Sequence, residues 1–167
     1  YARLAVSGEG IVDSYIHMNG KIGVLIQLSC GQPETAMAPE FAALARDLGM
    51  QVAAARPDFV RRNEVPAQNL EKEKAIYKAQ AMEEGKPEAI AEKIVIGRIE
   101  KYYKEICLVE QIFIKDNEKT VTKLMDEVGQ ILGDKIELVA FERFEKGEGL
   151  EKRQDDFASE VMSQIQQ

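Results

Sequence analysis

The sequence contains no tryptophan, a single histidine and two cysteines in 167 residues, and these shortages limit the chemistry available to it. Cys30 and Cys107 have no further cysteine or histidine at metal-ligand spacing, which excludes a zinc motif and the disulfide framework of a small secreted domain. We interpret them as structural thiols of a protein from a reducing compartment. A redox or dimer-linking role for either thiol is the alternative.

Long apolar runs are also missing. The most apolar stretch, residues 22–28, is interrupted by Gly23 and Gln27 and is far shorter than the roughly 20 residues that a membrane-spanning helix needs. The chain begins with Tyr1 and lacks a basic-then-apolar leader, so we expect it to be a piece or a processed form of a longer product. No membrane association is predicted.

Motifs for nucleotide binding and catalysis are absent as well. The sequence has no G-x-x-x-x-G-K-[ST], no G-x-G-x-x-G and no C-x-x-C. His17 has no serine or cysteine nucleophile close in sequence, so we interpret it as an exposed turn residue, with a protein contact or a general base as alternatives. We therefore predict no catalytic residue, no metal site and no cofactor. An enzyme would require a polar pocket around a strongly perturbed carboxylate or His17.

The composition is that of a folded, acidic domain. Hydrophobic residues make up 45% of the chain and charged residues 31%, values that favour one globular domain with its own core. Lysine and arginine total 22 against 29 aspartate and glutamate, so the net charge is −7 and the basic surface of a nucleic-acid binder is missing. A protein partner or a small ligand is the better expectation.

The N-terminal part of the sequence predicts a β-hairpin. Residues 4–17 are rich in valine, isoleucine and tyrosine, and residues 21–30 carry Ile22, Val24, Ile26 and Leu28 at every second position. Asn19-Gly20 lies between these segments and suits a type I′ turn, because both residue types tolerate positive φ.

Helical periodicity dominates the middle of the chain. Apolar residues at three- and four-residue spacing predict a buried helix that begins at Pro39 and ends before Pro57. A mostly solvated helix over 67–84 and another over 87–106 are separated by a helix-stop signal at Gly85, so we expect a helical hairpin.

The last third of the sequence predicts a buried helix, a strand and a tail. The helix runs from Thr120, its N-cap, to Gly133, and strand character returns over 135–146. The fold class is therefore α+β, with a late strand that must return to the early hairpin. We place the core domain at residues 1–146 and a C-terminal helical tail, whose amphipathic stripe includes Phe157, at 147–167.

Many segments of the chain resemble the translation elongation factor Ts family, in order and with little change of spacing. This coverage makes the resemblance more specific than a single motif would. The segments are residues 9–17 (EGIVDSYIH), 20–26 (GKIGVLI), 41–55 (FAALARDLGMQVAAA), 71–73 (EKE), 84–87 (EGKP), 90–95 (IAEKIV), 108–113 (LVEQIF), 119–121 (KTV), 132–134 (LGD) and 143–145 (RFE).

The resemblance implies a fold and a function. The fold is an α+β core with a three-stranded antiparallel sheet, packed helices and a helical hairpin. The function is binding to the GDP form of elongation factor Tu, a GTPase, and promotion of GDP release, without covalent chemistry. An exchange factor binds the empty GTPase more tightly than the loaded one, so factor and nucleotide weaken each other's binding by the same factor.

The resemblance also carries partner-binding roles over to particular positions. The hairpin tip, the segment after the second strand, the residues after Gln111-Ile112-Phe113, the turn at Gly133 and the tail helix are similar to segments with which family members contact the GTPase. The predicted partner-binding residues are His17, Met18, Gln32, Pro33, Glu34, Ile114, Lys115, Leu132, Gly133 and Phe157.

One segment departs from the family pattern. Where the family has Asn-Cys-Glu-Thr-Asp-Phe-Val-Ala, residues 29–36 read SCGQPETA, so Pro33-Glu34 replaces the Asp-Phe pair. In the family this pair resembles a wedge whose ring enters a pocket of the GTPase beside its phosphate and magnesium site. Proline offers neither a carboxylate nor a backbone donor, and Glu34 is charged where an apolar wedge is needed. We expect docking to survive better than exchange, and a non-exchanging binding or scaffold module of the same fold is the alternative.

Two further expectations rest on the resemblance. Family members with one copy of this hairpin-and-helix unit form pairs, so we expect a homodimer. The expected location is the cytoplasm, or an organellar stroma or matrix if the chain is processed from a larger precursor. No direct contact with nucleic acid is expected.

Overall fold

A three-stranded antiparallel sheet lies at the centre of the computed structural model, which describes residues 4, 5 and 8–149. The predicted tail helix lies outside the described residues, and the domain boundary before residue 147 stays a prediction. The helices and strands, in chain order, are β1 (Gly10–His17), β2 (Ile22–Ser29), α1 (Pro33–Ala36), α2 (Pro39–Ala55), α3 (Ala67–Glu83), α4 (Glu88–Ile106), β3 (Ile112–Phe113), β4 (Asp116–Thr120), α5 (Val121–Leu132) and β5 (Glu137–Glu145).

The sheet joins the two ends of the described chain. β2 lies in the middle, antiparallel to β1 on one side and to β5 on the other. Its alternating apolar residues Ile22, Val24, Ile26 and Leu28 are all buried, as the sequence predicted. The return of β5 to the hairpin confirms the α+β class and the three-stranded sheet.

The β1–β2 turn has the positive φ values predicted for Asn19 and Gly20. Asn19 and Gly20 have φ values of 54° and 85°, and the Lys21 amide donates a hydrogen bond of 3.2 Å to the Met18 carbonyl oxygen. Positive φ at both central residues is a feature of the type I′ turn, and Met18 before them also has a positive φ, of 51°.

Helix α2 covers one face of the sheet and supplies much of the core. Phe41, Leu48 and Val52 have no solvent exposure and belong to the main hydrophobic cluster, together with residues of β2, α5 and β5. Burial of each such side chain contributes roughly 1.5–3 kcal/mol. At Gly49 an added Cβ would lie 2.9 Å from the Cβ of Tyr15, so only glycine lets the helix approach β1 this closely.

Helices α3 and α4 form the predicted helical hairpin, called the arm below. α3 ends in a Schellman motif, in which the Lys86 amide bonds to the Ala81 carbonyl and the Gly85 amide to the Met82 carbonyl. Gly85 adopts a φ of 77°, as this motif requires. The arm joins the core at a second, smaller hydrophobic cluster, called the arm root: Phe59, Val65, Leu70, Tyr102, Tyr103, Ile106 and Cys107.

Two segments for which the sequence predicted neither a helix nor a strand contain regular structure. Residues 33–36 form the one-turn helix α1, because Pro33 at its first position presets a helical φ. Residues 112–120 form the short hairpin β3–β4, whose strands are too brief for a visible alternation. Both elements carry predicted partner-binding residues, so the structure gives these residues defined positions.

Candidate functional site

The first group of predicted residues, His17 and Met18, lies at the tip of the β1–β2 hairpin. The Tyr15 hydroxyl is 3.0 Å from Nδ1 of His17, and the two rings stack with centroids 5.8 Å apart. Since Tyr15 itself contacts α2 at Gly49, the imidazole is connected to the core through one aromatic ring. The Met18 side chain is 56% exposed.

The second group is assembled by the carboxylate of Asp134. Its oxygens accept hydrogen bonds from the Gly31 amide at 3.1 and 2.9 Å and from the Gln32 amide at 2.9 Å. The Gln32 side-chain amide donates to the Gly133 carbonyl oxygen at 3.4 Å. The segment Gln32-Pro33-Glu34 and the turn Leu132-Gly133 are therefore brought together. We call Gly31, Gln32, Thr35 and Asp134 the Asp134 clasp.

The local sequence explains why Asp134 points at this segment. α5 ends in a Schellman motif with Gly133 at a φ of 65°, and the Asp134 amide bonds back to the Gly129 carbonyl. Hydrogen bonds from the Thr35 hydroxyl, and then from the amides of Lys135, Gly31 and Gln32, hold the pKa of the Asp134 carboxyl below its usual value. An added Cβ at Gly31 would lie 2.7 Å from Oδ1 of Asp134, so a larger residue there would displace the carboxylate.

The clasp presents the divergent segment as an ordered surface. Thr35 is buried and faces Asp134, whereas Pro33 and Glu34 are exposed in the first turn of α1. Met37, at the end of this turn, has an exposed fraction of 86% and was not singled out from the sequence. The role of Asp134 was not predicted from the sequence either, although the glycine before it marks the end of a helix.

The third group, Ile114 and Lys115, lies in the turn between β3 and β4. Lys115 Nζ forms an ion pair of 2.6 Å with Asp47 on α2. Ile114 is 43% exposed, and Ile112 two residues earlier is 55% exposed. Phe113 between them is buried, so the hairpin presents two apolar side chains outward. Phe157, the remaining predicted residue, lies outside the described residues.

These groups do not form one pocket. The hairpin tip and the Asp134 clasp lie at opposite ends of the eight-residue strand β2, which spans roughly 25 Å. A groove of about 580 Å³ beside the clasp is lined by residues of α5 and the following turn, among them Asp126, Gly129 and Asp134. A single ligand that contacted both the hairpin tip and the clasp would have to span that distance.

The pKa shifts of carboxyl and thiol groups in the described part of the chain have local causes. Every carboxyl group there whose pKa is shifted has it lowered, and the largest cause is in each case a hydrogen bond from a neighbouring group. Burial raises the pKa of the Cys107 thiol to about 11 and also raises that of Cys30, so neither is a reactive thiolate at neutral pH. Among these residues no cluster of three His, Cys, Asp or Glu side chains is placed to hold a metal ion.

Among the described helices, none combines the length and the apolar character that a membrane crossing needs.

The fold and the site define a class of protein: an α+β module that presents ordered, exposed side chains at three places on its core. Comparison with known proteins gives the family. The family model "Elongation factor TS" matches residues 1–148. The chain is 56% identical over 160 residues to elongation factor Ts of Desulforamulus reducens, covering 96% of this chain and 74% of that protein. It is 54% identical over 160 residues to elongation factor Ts of Heliobacterium modesticaldum, covering 96% of this chain and 74% of that protein.

Longer relatives match as well. Elongation factor Ts of Symbiobacterium thermophilum is 51% identical over 164 residues, which cover 98% of this chain and 54% of that protein. The chain belongs to the elongation factor Ts family, a family of translation elongation factors.

Proposed function

We propose that this chain binds elongation factor Tu in its GDP form and promotes release of the nucleotide. The chain acts as a binding partner and makes or breaks no covalent bond. Release follows if the complex with the empty GTPase is the tightest one, because binding of the chain and binding of GDP then oppose each other. The proposed location is the bacterial cytoplasm, where the GTPase works.

One observation carries the proposal: exposed groups at family-like positions are each fixed to the core. The hairpin tip is held through Tyr15 and Gly49, and the segment Gln32–Glu34 is held through Asp134. Such preordering lowers the entropy that is lost on association, which favours binding. The separation of roughly 25 Å between these groups favours a protein partner over a small ligand.

The test combines binding with nucleotide release. Elongation factor Tu loaded with a fluorescent GDP analogue is titrated with the chain, and both affinity and release rate are measured. Met18→Asp should weaken binding by about tenfold, because an anchor at an interface is replaced by a charge. Met82→Asp is the matched control, since Met82 on the arm is 52% exposed against 56% for Met18. Absence of binding by the unmodified chain would refute the proposal.

A non-exchanging binding module of the same fold is the second candidate. The observation that favours it is Pro33-Glu34 in an exposed turn, at the position of the family's Asp-Phe pair. The double variant Pro33→Asp/Glu34→Phe restores the pair and should accelerate GDP release if the wedge is what the chain lacks. Glu34→Gln is the control, because it removes the charge without adding a ring. Binding with an unchanged release rate in the unmodified chain would select this second candidate.

We further propose that a second copy of the chain covers the sheet face opposite α2. Strand register puts Ile16, Gly23 and Phe144 in one row on that face, and Ile16 and Phe144 are 65% and 41% exposed. An apolar row of this kind is a typical interface feature. Sedimentation equilibrium should give a dimer that Phe144→Glu dissociates and that Ile96→Glu on the arm leaves intact. A monomer at all concentrations would contradict this assembly.

A further inference from the structure

We infer that Gln51 is a positioning residue for partner binding, which sets the place of Ile114 from inside the core. The inference rests on the proposed function and extends it to a residue that cannot itself touch the partner. Gln51 has no solvent exposure, and it lies on α2 one turn after Asp47. Its side chain makes the connection between that helix and the β3–β4 hairpin.

The Gln51 amide bonds to the hairpin as a neighbouring strand would. Its Nε2 donates to the Ile112 carbonyl oxygen at 3.1 Å, and its Oε1 accepts from the Ile114 amide at 2.9 Å. A carbonyl and the amide two residues later are the pair that one strand offers to the next in a sheet. A helix side chain therefore completes the edge of β3 and fixes the backbone of Ile114.

A second buried glutamine supports this arrangement. Gln51 Nε2 also donates to Oε1 of Gln111 at 3.1 Å, and Gln111 is 5% exposed. Gln111 Nε2 in turn donates to the Glu105 carbonyl oxygen at 2.7 Å, in the last turn of α4, where the arm joins the core. All polar atoms of the Gln51 amide are thus engaged, and a buried amide in a satisfied network is strongly held in one orientation.

The hydrogen bonds of Gln51 affect which side chains of the β3–β4 hairpin face the solvent. With its backbone held at Ile112 and Ile114, the hairpin directs both side chains to the solvent and keeps Phe113 buried. The ion pair between Lys115 and Asp47 adds a second tie to the same helix, but it lies on the surface and is screened by salt. The buried amide is therefore the tie that sets the position of Ile114.

The test separates positioning from general stability. Gln51→Met keeps the size and removes the amide, and Gln27→Met is the matched control. Gln27 is also buried, and its amide donates to the Ala5 carbonyl at 2.9 Å, away from the β3–β4 hairpin. Hydrogen exchange of the Ile114 amide and affinity for GDP-loaded elongation factor Tu are measured for both variants, with unfolding by urea as the measure of stability.

We expect Gln51→Met to accelerate exchange of the Ile114 amide and to weaken binding by about tenfold, while Gln27→Met changes neither beyond about twofold at a similar loss of stability. Faster exchange with unchanged affinity, or unchanged exchange, would overturn the inference and leave the proposed function standing. No binding by the unmodified chain would instead refute the proposed function, and the inference with it.

A second pair of variants covers the case in which Gln51→Met does not fold. Ile114→Ser alters an exposed side chain without touching the buried amides, and Ile90→Ser on the arm is its control at 48% exposure. Weaker binding of Ile114→Ser alone supports the inference. Equal binding of both variants would overturn it, because then the residue that Gln51 positions contributes nothing to the interface.

Discussion

The core and the arm of this protein are stabilised in different ways. In the core, α2 alone buries Phe41, Leu44, Leu48 and Val52 between the sheet and α5. In the arm, α3 buries only Ala81, and α4 buries only Ala91, Ile99 and Ile106. Within residues 8–149, the two arm helices pack mainly against each other.

This difference indicates that the arm depends on its attachment. Its exposed ion pairs, such as Lys78 with Glu88 at 2.8 Å, contribute little in water. The arm root supplies the apolar contacts, and Arg62 adds a bidentate ion pair to Glu100 together with contacts to Glu110 and the Tyr103 ring. We therefore expect the arm to unfold locally at a lower free energy than the core.

The largest expected effect is a core substitution. Phe41→Ala removes a side chain with no solvent exposure and should lower the free energy of unfolding of the whole described domain by roughly 3–5 kcal/mol. Ile90→Ala on the arm is the control, and we expect it to change stability by less than about 0.5 kcal/mol because the side chain is 48% exposed. Urea unfolding followed by circular dichroism measures both. Equal losses for the two variants would contradict the contrast between core and arm.

The sequence predicted the elements that are encoded locally, by apolar periodicity and by helix-ending residues. The bounds of α2, α3, α4 and α5 were close to those observed, because prolines and glycines mark their ends. Hydrogen bonds between residues that are far apart in sequence were not predictable in this way. Asp134 bonds to Gly31 across 103 positions, and no local pattern connects the two residues. The β3–β4 hairpin was missed for the same reason, since the amide of Gln51 on another element completes its edge.

The second prediction concerns the arm root. Arg62→Met removes the ion pairs with Glu100 and Glu110 and the contact 4.4 Å above the Tyr103 ring. Because the arginine side chain is 40% exposed, solvent screens these contacts, and we expect a stability loss of about 1 kcal/mol. The loss should appear as faster amide exchange around Cys107, where the arm joins the core, while amides of β2 keep their protection.

Arg98→Met is the control for this variant. Arg98 also contacts an arm tyrosine, at 5.6 Å from the Tyr77 ring, and pairs with Gln80, but all of these partners lie within the arm. We expect it to leave exchange at Cys107 unchanged. Acceleration by both variants alike would show that Arg62 has no special part in attaching the arm.

The smallest expected effect is a difference in salt dependence between two carboxylates, Asp134 in the core and Glu88 in the arm. Glu88 has its pKa lowered by a hydrogen bond from the Lys78 side chain, whereas Asp134 has it lowered by the Thr35 hydroxyl and by backbone amides. Asp134→Asn should therefore destabilise the protein in low and high salt alike, and Glu88→Gln only in low salt.

The stability loss of Asp134→Asn should also depend on pH. A folded-state pKa below the unfolded value stabilises the protein at higher pH, so the loss should be full near neutral pH. It should shrink as the pH falls below about 4 and Asp134 of the unmodified chain becomes protonated. Thermal unfolding at several pH values and salt concentrations measures the stability of both variants. If the stability loss of Asp134→Asn depended on salt, the Asp134 carboxylate would behave as an ordinary surface charge.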